Sequence, residues 1–246
     1  MVYSEDEIQK IAEAGKRLAL ALAELEKEIH PGVSTLEIEE KAQLLIEKQG
    51  ARPAFLGYQG YPAAVCTSVN EEVVHGIPSK EKILKEGDLV GIDIGLEYEG
   101  FFADMAKTYA VGKVGEEAQK LIEVTEKALA LGVSSAKSGS TLGDLGFAIQ
   151  NYVESFGFSV IRDLVGHGVG KHIHEDPSVP NFGKQGQGQK LVPGMVLAIE
   201  PMVAIGDWHI KILADGWTVV TADQSLAAHF EHTVLVTSEG GKILTQ

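Results

Sequence analysis

Apolar residues near the start of the chain recur at helical spacing. Ile8, Ile11, Ala12, Leu18, Ala19, Leu22 and Leu25 fall on one face of a 3.6-residue period. Ser4 with Glu7 is a capping-box pattern that opens this helix, and Pro31-Gly32 stops it at about His30. A second helix is capped at Ser34 or Thr35, runs to about Lys48 and is ended by Gly50. The period then shortens. Runs over 63–69 and 71–76, and the run from Gly87 to Asp93, are short, apolar and β-branched, which predicts strands. Between helix and strand lies a loop, Gly57 to Pro62, with two tyrosines of exposed type. Tyr98-Glu-Gly100 predicts a hairpin turn, followed by a strand through Phe102, Asp104, Ala106 and Thr108.

The plan then restarts. Helices are predicted over 116–136 and 142–156, a tight glycine turn over Gly166-His-Gly-Val-Gly170, a loop over 177–188 and a strand ending at Glu200. Segments 208–220 and 227–236 are expected to close the sheet. Gly87-Asp-Leu-Val-Gly-Ile-Asp93 is written again as Gly194-Met-Val-Leu-Ala-Ile-Glu200. Further matches follow in the same order: Gly32–Leu36 with Ser138–Leu142, His75-Gly-Ile77 with His167-Gly-Val169, Leu84 with Leu191, and Asp104 with Glu231. Their shared order predicts a duplicated helix–helix–strand unit. The expectation is an α+β fold in one catalytic domain, 1–246, made of pseudo-symmetric halves of about 1–112 and 113–246. A shared site is expected at the seam.

Composition narrows the classes. The chain has 246 residues, 44% of them hydrophobic, enough for a full core. Net charge is −14 and no Lys/Arg cluster stands out, so nucleic acid is not expected as a partner. Cys66 is the one cysteine, which excludes an intrachain disulfide and fits a reducing compartment. No signal-like segment opens the chain, and no run approaches the ~18 apolar residues of a membrane span. No membrane association and a cytoplasmic location are expected.

A carboxylate ending a buried strand is costly unless a cation or donors meet it. If the halves face each other, Asp93, Asp104, Glu200 and Glu231 converge with His167. Four anions cannot share a pocket without cations. Carboxylates with one imidazole suit divalent Mn, Fe, Co or Zn, and the missing thiolates argue against structural zinc. So many oxygens suit a pair of metals about 3.5–4 Å apart, whose chemistry is assisted hydrolysis. His75 and His174 each read alone as half-buried structural histidines; in a hydrolase both are placed as substrate-facing donors or acid/base groups. His172, His209, His229 and His232 lack such support and are assigned structural roles. The glycine turn lacks the Lys-Ser/Thr of a phosphate loop, which excludes that reading.

Eight stretches together resemble the type I methionine aminopeptidases. They are Cys66–Pro78, Gly91–Gly95 with Gly100–Asp104, Gly166–Gly170 with His174–Pro177, Ile199–Val203, Asp215–Trp217 and Phe230–Thr233. The resemblance covers nearly the whole chain and implies the pita-bread fold, two pseudo-symmetric halves around a central antiparallel sheet. It implies two divalent ions (Co, Mn, Fe or Zn) on Asp93, Asp104, His167, Glu200 and Glu231, with Asp104 and Glu231 bridging. Glu200 would relay the proton of the attacking water, His75 would contact the scissile amide and His174 would stabilise the tetrahedral oxygen. Phe55, Tyr58, Tyr61, Cys66 and Trp217 would line the methionine pocket. The implied substrates are N-terminal peptides with a small second residue, the ribosome is an implied neighbour, and the protein is expected to be a monomer. Phe55 and Ile173 are positions where this group varies, which bears on the pocket's shape. The rivals are a proline-specific aminopeptidase or dipeptidase of the same fold, expected to carry an extra N-terminal domain, and a non-catalytic pita-bread binding protein, expected to show broken ligands and basic patches.

Overall fold

The computed structural model describes residues 1–246. The first half opens with α1 (Glu5–Leu25) and α2 (Thr35–Lys48), followed by β1 (Arg52–Pro53), β2 (Val65–Val69), β3 (Glu72–Val74), β4 (Leu89–Tyr98) and β5 (Phe101–Ala110). The second half opens with α3 (Glu116–Ser135) and α4 (Leu142–Glu154). It continues through β6 (Ser159–Val160), β7 (Gly166–Gly168), β8 (Glu175–Val179), β9 (Val196–Ile199), β10 (Met202–Ala204), β11 (Ile210–Ile212), β12 (Val219–Thr221), β13 (Ala227–His229), β14 (Glu231–Val236) and β15 (Gly241–Ile243).

The helices begin where the caps predict. Ser4, Ser34 and Thr141 each accept from the backbone N–H three residues on, and Glu7, Glu37 and Asp144 return the bond. The first helix ends earlier than its sequence suggests: Leu25 is its last buried residue, and the charged Glu26–Glu28 tightens into a 3-10 turn.

One antiparallel sheet spans both halves in the order β1-β4-β5-β14-β9-β7-β8, with β2 also on β4 and β15 on β14. Period-2 alternation gives it two faces. Ile92, Ile94, Ala103 and Met105 pack under α1 and α2, and Leu197, Ile199, Val234 and Val236 under α3 and α4. Asp93, Asp104, Glu231 and the positions in phase with them therefore fall on the face away from the helices. Segments 208–220 do not close this sheet: β11 and β12 join β3 in a separate three-stranded sheet, and β13 joins β10 and β6 in another.

Hydrogen bonding fixes the internal equivalence. Gly32 N–H donates to Leu84 O and Leu84 N–H to Val33 O; Gly139 N–H donates to Leu191 O and Leu191 N–H to Ser140 O. Gly32 thus corresponds to Gly139, the same offset that relates Gly87 to Gly194 and Asp93 to Glu200, so the sequence match of Gly32 with Ser138 is one residue out. Two other matches shift as well. His167 stands opposite Ala198 and Ser68 opposite Gly91, so His167 corresponds to Ser68; His75 lies beyond β3, off the main sheet. Ala106 pairs with Glu231 across the seam, and the ladders on either side make Asp104 correspond to His229 and Thr108 to Thr233.

Candidate metal centre and substrate pocket

Asp93 does not end its strand, as the sequence suggested, but sits in the middle of β4, opposite Ala106 on β5. On its other side Ala106 pairs with Glu231, the first residue of β14. Two carboxylates thus flank an alanine, whose small side chain leaves the space above it open. Asp104 lies one pleat along β5, opposite Gly95. Glu200 follows the last residue of β9.

The glycine-rich segment carrying His167 is a strand, not a turn. Added carbons at Gly166 and Gly168 would come within 2.3 and 2.4 Å of the Ala198 and Asp176 carbonyl oxygens, so close strand approach explains both glycines. His167 Nδ1 lies 2.9 Å from the Gly168 carbonyl, so that nitrogen carries the proton. Nε2 is left as a lone pair facing Glu200 Oε1 at 3.5 Å and Asp104 Oδ2 at 3.9 Å.

The donor set fits divalent metal. The ligand atoms of Asp93, Asp104 and Glu231 lie within 4.8 Å of one another, as do those of His167, Glu200 and Glu231. Asp93 Oδ1, Asp104 Oδ1 and Glu231 Oε1 are buried without a hydrogen-bond partner. Neither lysine nor arginine lines the cavity, so no side-chain cation neutralises these acids. Burial lifts the Asp93 carboxyl to about 7, against a downward pull from His229 and an upward push from Glu200. Burial alone lifts Glu200 to about 8. Burial and the neighbouring carboxylates push Asp104 and Glu231 well up. Burial holds His167 down at about 3 and His75 at about 4, so both imidazoles are neutral at pH 7. Hard oxygens, one free imidazole nitrogen and orphaned buried lone pairs are what a divalent cation satisfies.

The cluster opens into a cavity of about 350 Å³. All the residues expected to bind substrate line it: Phe55, Tyr58, Tyr61, Cys66, His75, His174 and Trp217. Tyr61 is not the exposed loop residue its neighbourhood suggests. It is 4% exposed, its hydroxyl donates to the Gly76 carbonyl at 3.1 Å, and its ring meets Trp217 edge-on at 5.1 Å. Cys66 stands opposite Asp93 in the β2–β4 ladder, and burial with the Asp93 charge pushes its thiol up, so it acts as a small apolar wall. His174 is exposed at the cavity edge, its ring 4.3 Å from that of His167 and 5.0 Å from Tyr58. His75 holds a left-handed backbone (φ 58°), a conformation a non-glycine residue adopts at a cost.

Sequence reasoning missed several groups. Val74, Leu164, Val165 and Met202 complete the apolar lining, with Gln59 beside them. His229, assigned a structural role, has its Nε2 3.6 Å from Glu200 Oε2 and 3.9 Å from Glu231 Oε2. Its place two residues before Glu231 was the available signal.

An acidic cluster shaped for two divalent ions, set at the seam of a duplicated α+β fold, defines a metal-dependent hydrolase. The chain belongs to metallopeptidase family M24, whose family model matches residues 9–238. Within it the chain is similar over its whole length to methionine aminopeptidases. It is 50% identical to that of Clostridium acetobutylicum, covering 100% of this chain and 98% of the relative. The methionine aminopeptidase structure from Thermotoga maritima superposes with a TM-score of 0.98 at 50% identity, over 100% of this chain and 99% of the other. A prolidase from Pyrococcus horikoshii is similar at a greater distance, with a TM-score of 0.80 and 28% identity; this chain covers 63% of it. The fold is the α+β pita-bread arrangement that the resemblance implied.

Proposed function

We propose that the chain hydrolyses the peptide bond following an N-terminal methionine when the second residue is small. The observation that carries this reading is a single cavity joining an aromatic-walled apolar recess to the carboxylate cluster. Asp93, Asp104, His167, Glu200 and Glu231 would hold two divalent ions. Bound ions supply Lewis acidity toward water and toward the substrate carbonyl.

The chain's own groups do the rest. Phe55, Tyr58, Tyr61, Cys66 and Trp217 receive the methionine side chain, whose polarizable thioether suits aromatic edges. Glu200 takes the proton of the attacking water and passes it to the leaving amine; its raised pKa equips it for both transfers. His174, whose pKa is lowered by desolvation at the cavity mouth and by His75, donates an N–H to the oxygen that gains charge in the tetrahedral intermediate. His75, neutral and aimed into the same cavity, orients the scissile amide.

The test is release of free methionine from a Met-Gly-Met peptide by metal-stripped protein, before and after Mn, Co, Fe or Zn is restored, beside an X-Pro peptide. Metal-dependent methionine release with X-Pro untouched is the expected result. X-Pro cleavage instead moves the protein to the proline-specific branch. We also place the protein as a cytoplasmic monomer that meets its substrates near the ribosome. The free, buried Cys66 fits the reducing compartment that this reading assumes. Size-exclusion and ribosome co-sedimentation measurements test it.

A further inference from the structure

The seam has a two-fold relation that exchanges Asp104 with His229. Each is held by the threonine opposite it. Thr233 Oγ1 accepts from Asp104 N–H at 2.9 Å and donates to Asp104 O at 2.8 Å. Thr108 Oγ1 accepts from His229 N–H and donates to His229 O, both at 2.9 Å. His229 therefore occupies, in the second half, the place a carboxylate occupies in the first.

Its side chain reaches the cluster without lining the cavity. It is 3% exposed, and its Nε2 has no hydrogen-bond partner. The Glu200 carboxylate lies between two imidazoles, one to each oxygen. His167 Nε2 approaches Oε1 at 3.5 Å and His229 Nε2 approaches Oε2 at 3.6 Å. The two rings cannot play the same part. His167 shares with Glu200 and Glu231 one set of ligand atoms that can hold an ion, while His229 joins no such set. A neutral imidazole outside the ligand set offers an N–H, and the nearest acceptor is Glu200 Oε2, a few tenths of an ångström beyond hydrogen-bond length.

We propose that His229 is a positioning residue for the metal centre: its Nε2–H holds Glu200 Oε2, so that Oε1 is presented to the ion and the cavity. This rests on the metal-centre reading given above. Groups that orient a metal ligand from outside the ligand set change metal affinity even though they never touch the ion. A space-filling role would leave affinity unchanged.

The experiment is a calorimetric Mn(II) titration of the metal-stripped protein and of two variants, His229→Gln and His229→Met. Glutamine and methionine are close in size, and only glutamine supplies an N–H. Thermal melts of the metal-free variants establish that both fold, with His229→Leu as the replacement non-donor if the methionine variant does not. Expected is a loss of Mn(II) affinity of about 10- to 100-fold in His229→Met, with His229→Gln within about threefold of the parent. Parental affinity in His229→Met overturns the proposal, and so does an equal loss in both variants, which would indicate ring shape rather than donation. A parent protein that binds no Mn(II) overturns the metal-centre reading together with it.

Discussion

Thr233 uses one hydroxyl to satisfy both backbone groups of Asp104, accepting from its N–H and donating to its carbonyl. The two strands that carry Asp104 and Glu231 pair at Ala106–Glu231 and Met105–His232 but not at Asp104. There a threonine side chain stands where ladder bonds would run. Thr233 is fully buried, so water cannot replace it. Thr233→Val, nearly isosteric, is expected to leave a buried N–H and a buried carbonyl unpaired and to cost about 1–3 kcal/mol. Thr233→Ser keeps the hydroxyl and should recover most of that. Urea denaturation of the two variants measures the difference; equal midpoints would refute this bonding role.

The metal-free protein is expected to lose stability as pH rises. Asp93 and Glu200 reach about 7 and about 8 when folded, against ordinary values of 3.8 and 4.5. Both carboxyl pKa values are raised, so the folded chain holds protons that the unfolded chain releases. Their contribution is complete below about pH 4 and drains away as pH climbs to about 8. Metal removes the trend by occupying the ionised form. Calorimetric melts at pH 5.5 and 8, with and without Mn(II), check this. A metal-free melting temperature that rises across the interval contradicts it.

Glu200→Gln separates proton transfer from folding. The amide fills the same space, so the fold should persist while hydrolysis falls by about 10²- to 10⁴-fold, the range of general acid–base catalysis. Without metal, the same variant should show a flatter pH dependence of stability than the parent, because one of the carboxyls with a raised pKa is gone. Retained turnover would remove Glu200 from the proton relay.

The edge of the pocket is braced from far along the chain. Tyr3 hydroxyl donates to the Glu175 carboxylate at 2.6 Å, and Glu175 also accepts from the Lys171 and His172 N–H groups. His174 lies within this clasp. Tyr3→Phe is expected to cost about 1.5–3 kcal/mol, the range for hydrogen bonds to charged groups. It should also lower kcat more than it raises KM, since His174 acts on the developing oxygen. An unchanged kcat would confine Tyr3 to stability.

Gly166 tests the strand reading of its segment. A side-chain carbon there would lie 2.3 Å from the Ala198 carbonyl oxygen. Gly166→Ala should force β7 from β9 and destabilise by about 1–3 kcal/mol, the usual cost of overpacking. Full activity and stability in that variant would favour an open turn.

Much of this was legible in the chain because the signals were local. The capping pair Ser4–Glu7 placed the start of its helix, and Ser34 is the cap where Ser34 or Thr35 was expected. The twice-written Gly87–Asp93 pattern located Asp93 and Glu200 together. What failed was register. Asp104 and Glu231 match by their neighbours in sequence, yet the ladders make Asp104 the counterpart of His229, because pairing is set by the seam and not by the motif. Glycines misled for a related reason: at Gly166 and Gly168 they admit a neighbouring strand instead of turning the chain. Tyr61 reads as exposed because Gly57, Gly60 and Pro62 surround it, and only the fold reveals the Trp217 ring it meets.

The placement of the cluster at the seam has a mechanical side. One ion-holding set, Asp93, Asp104 and Glu231, takes residues from both halves, and a second, His167, Glu200 and Glu231, lies in the second half and shares Glu231 with it. A chain with one cysteine has no disulfide to cross-link its halves. An ion captured by the set that spans them would act as a removable rivet across the β5–β14 seam, so chelation should make the protein easier to unfold, not merely idle.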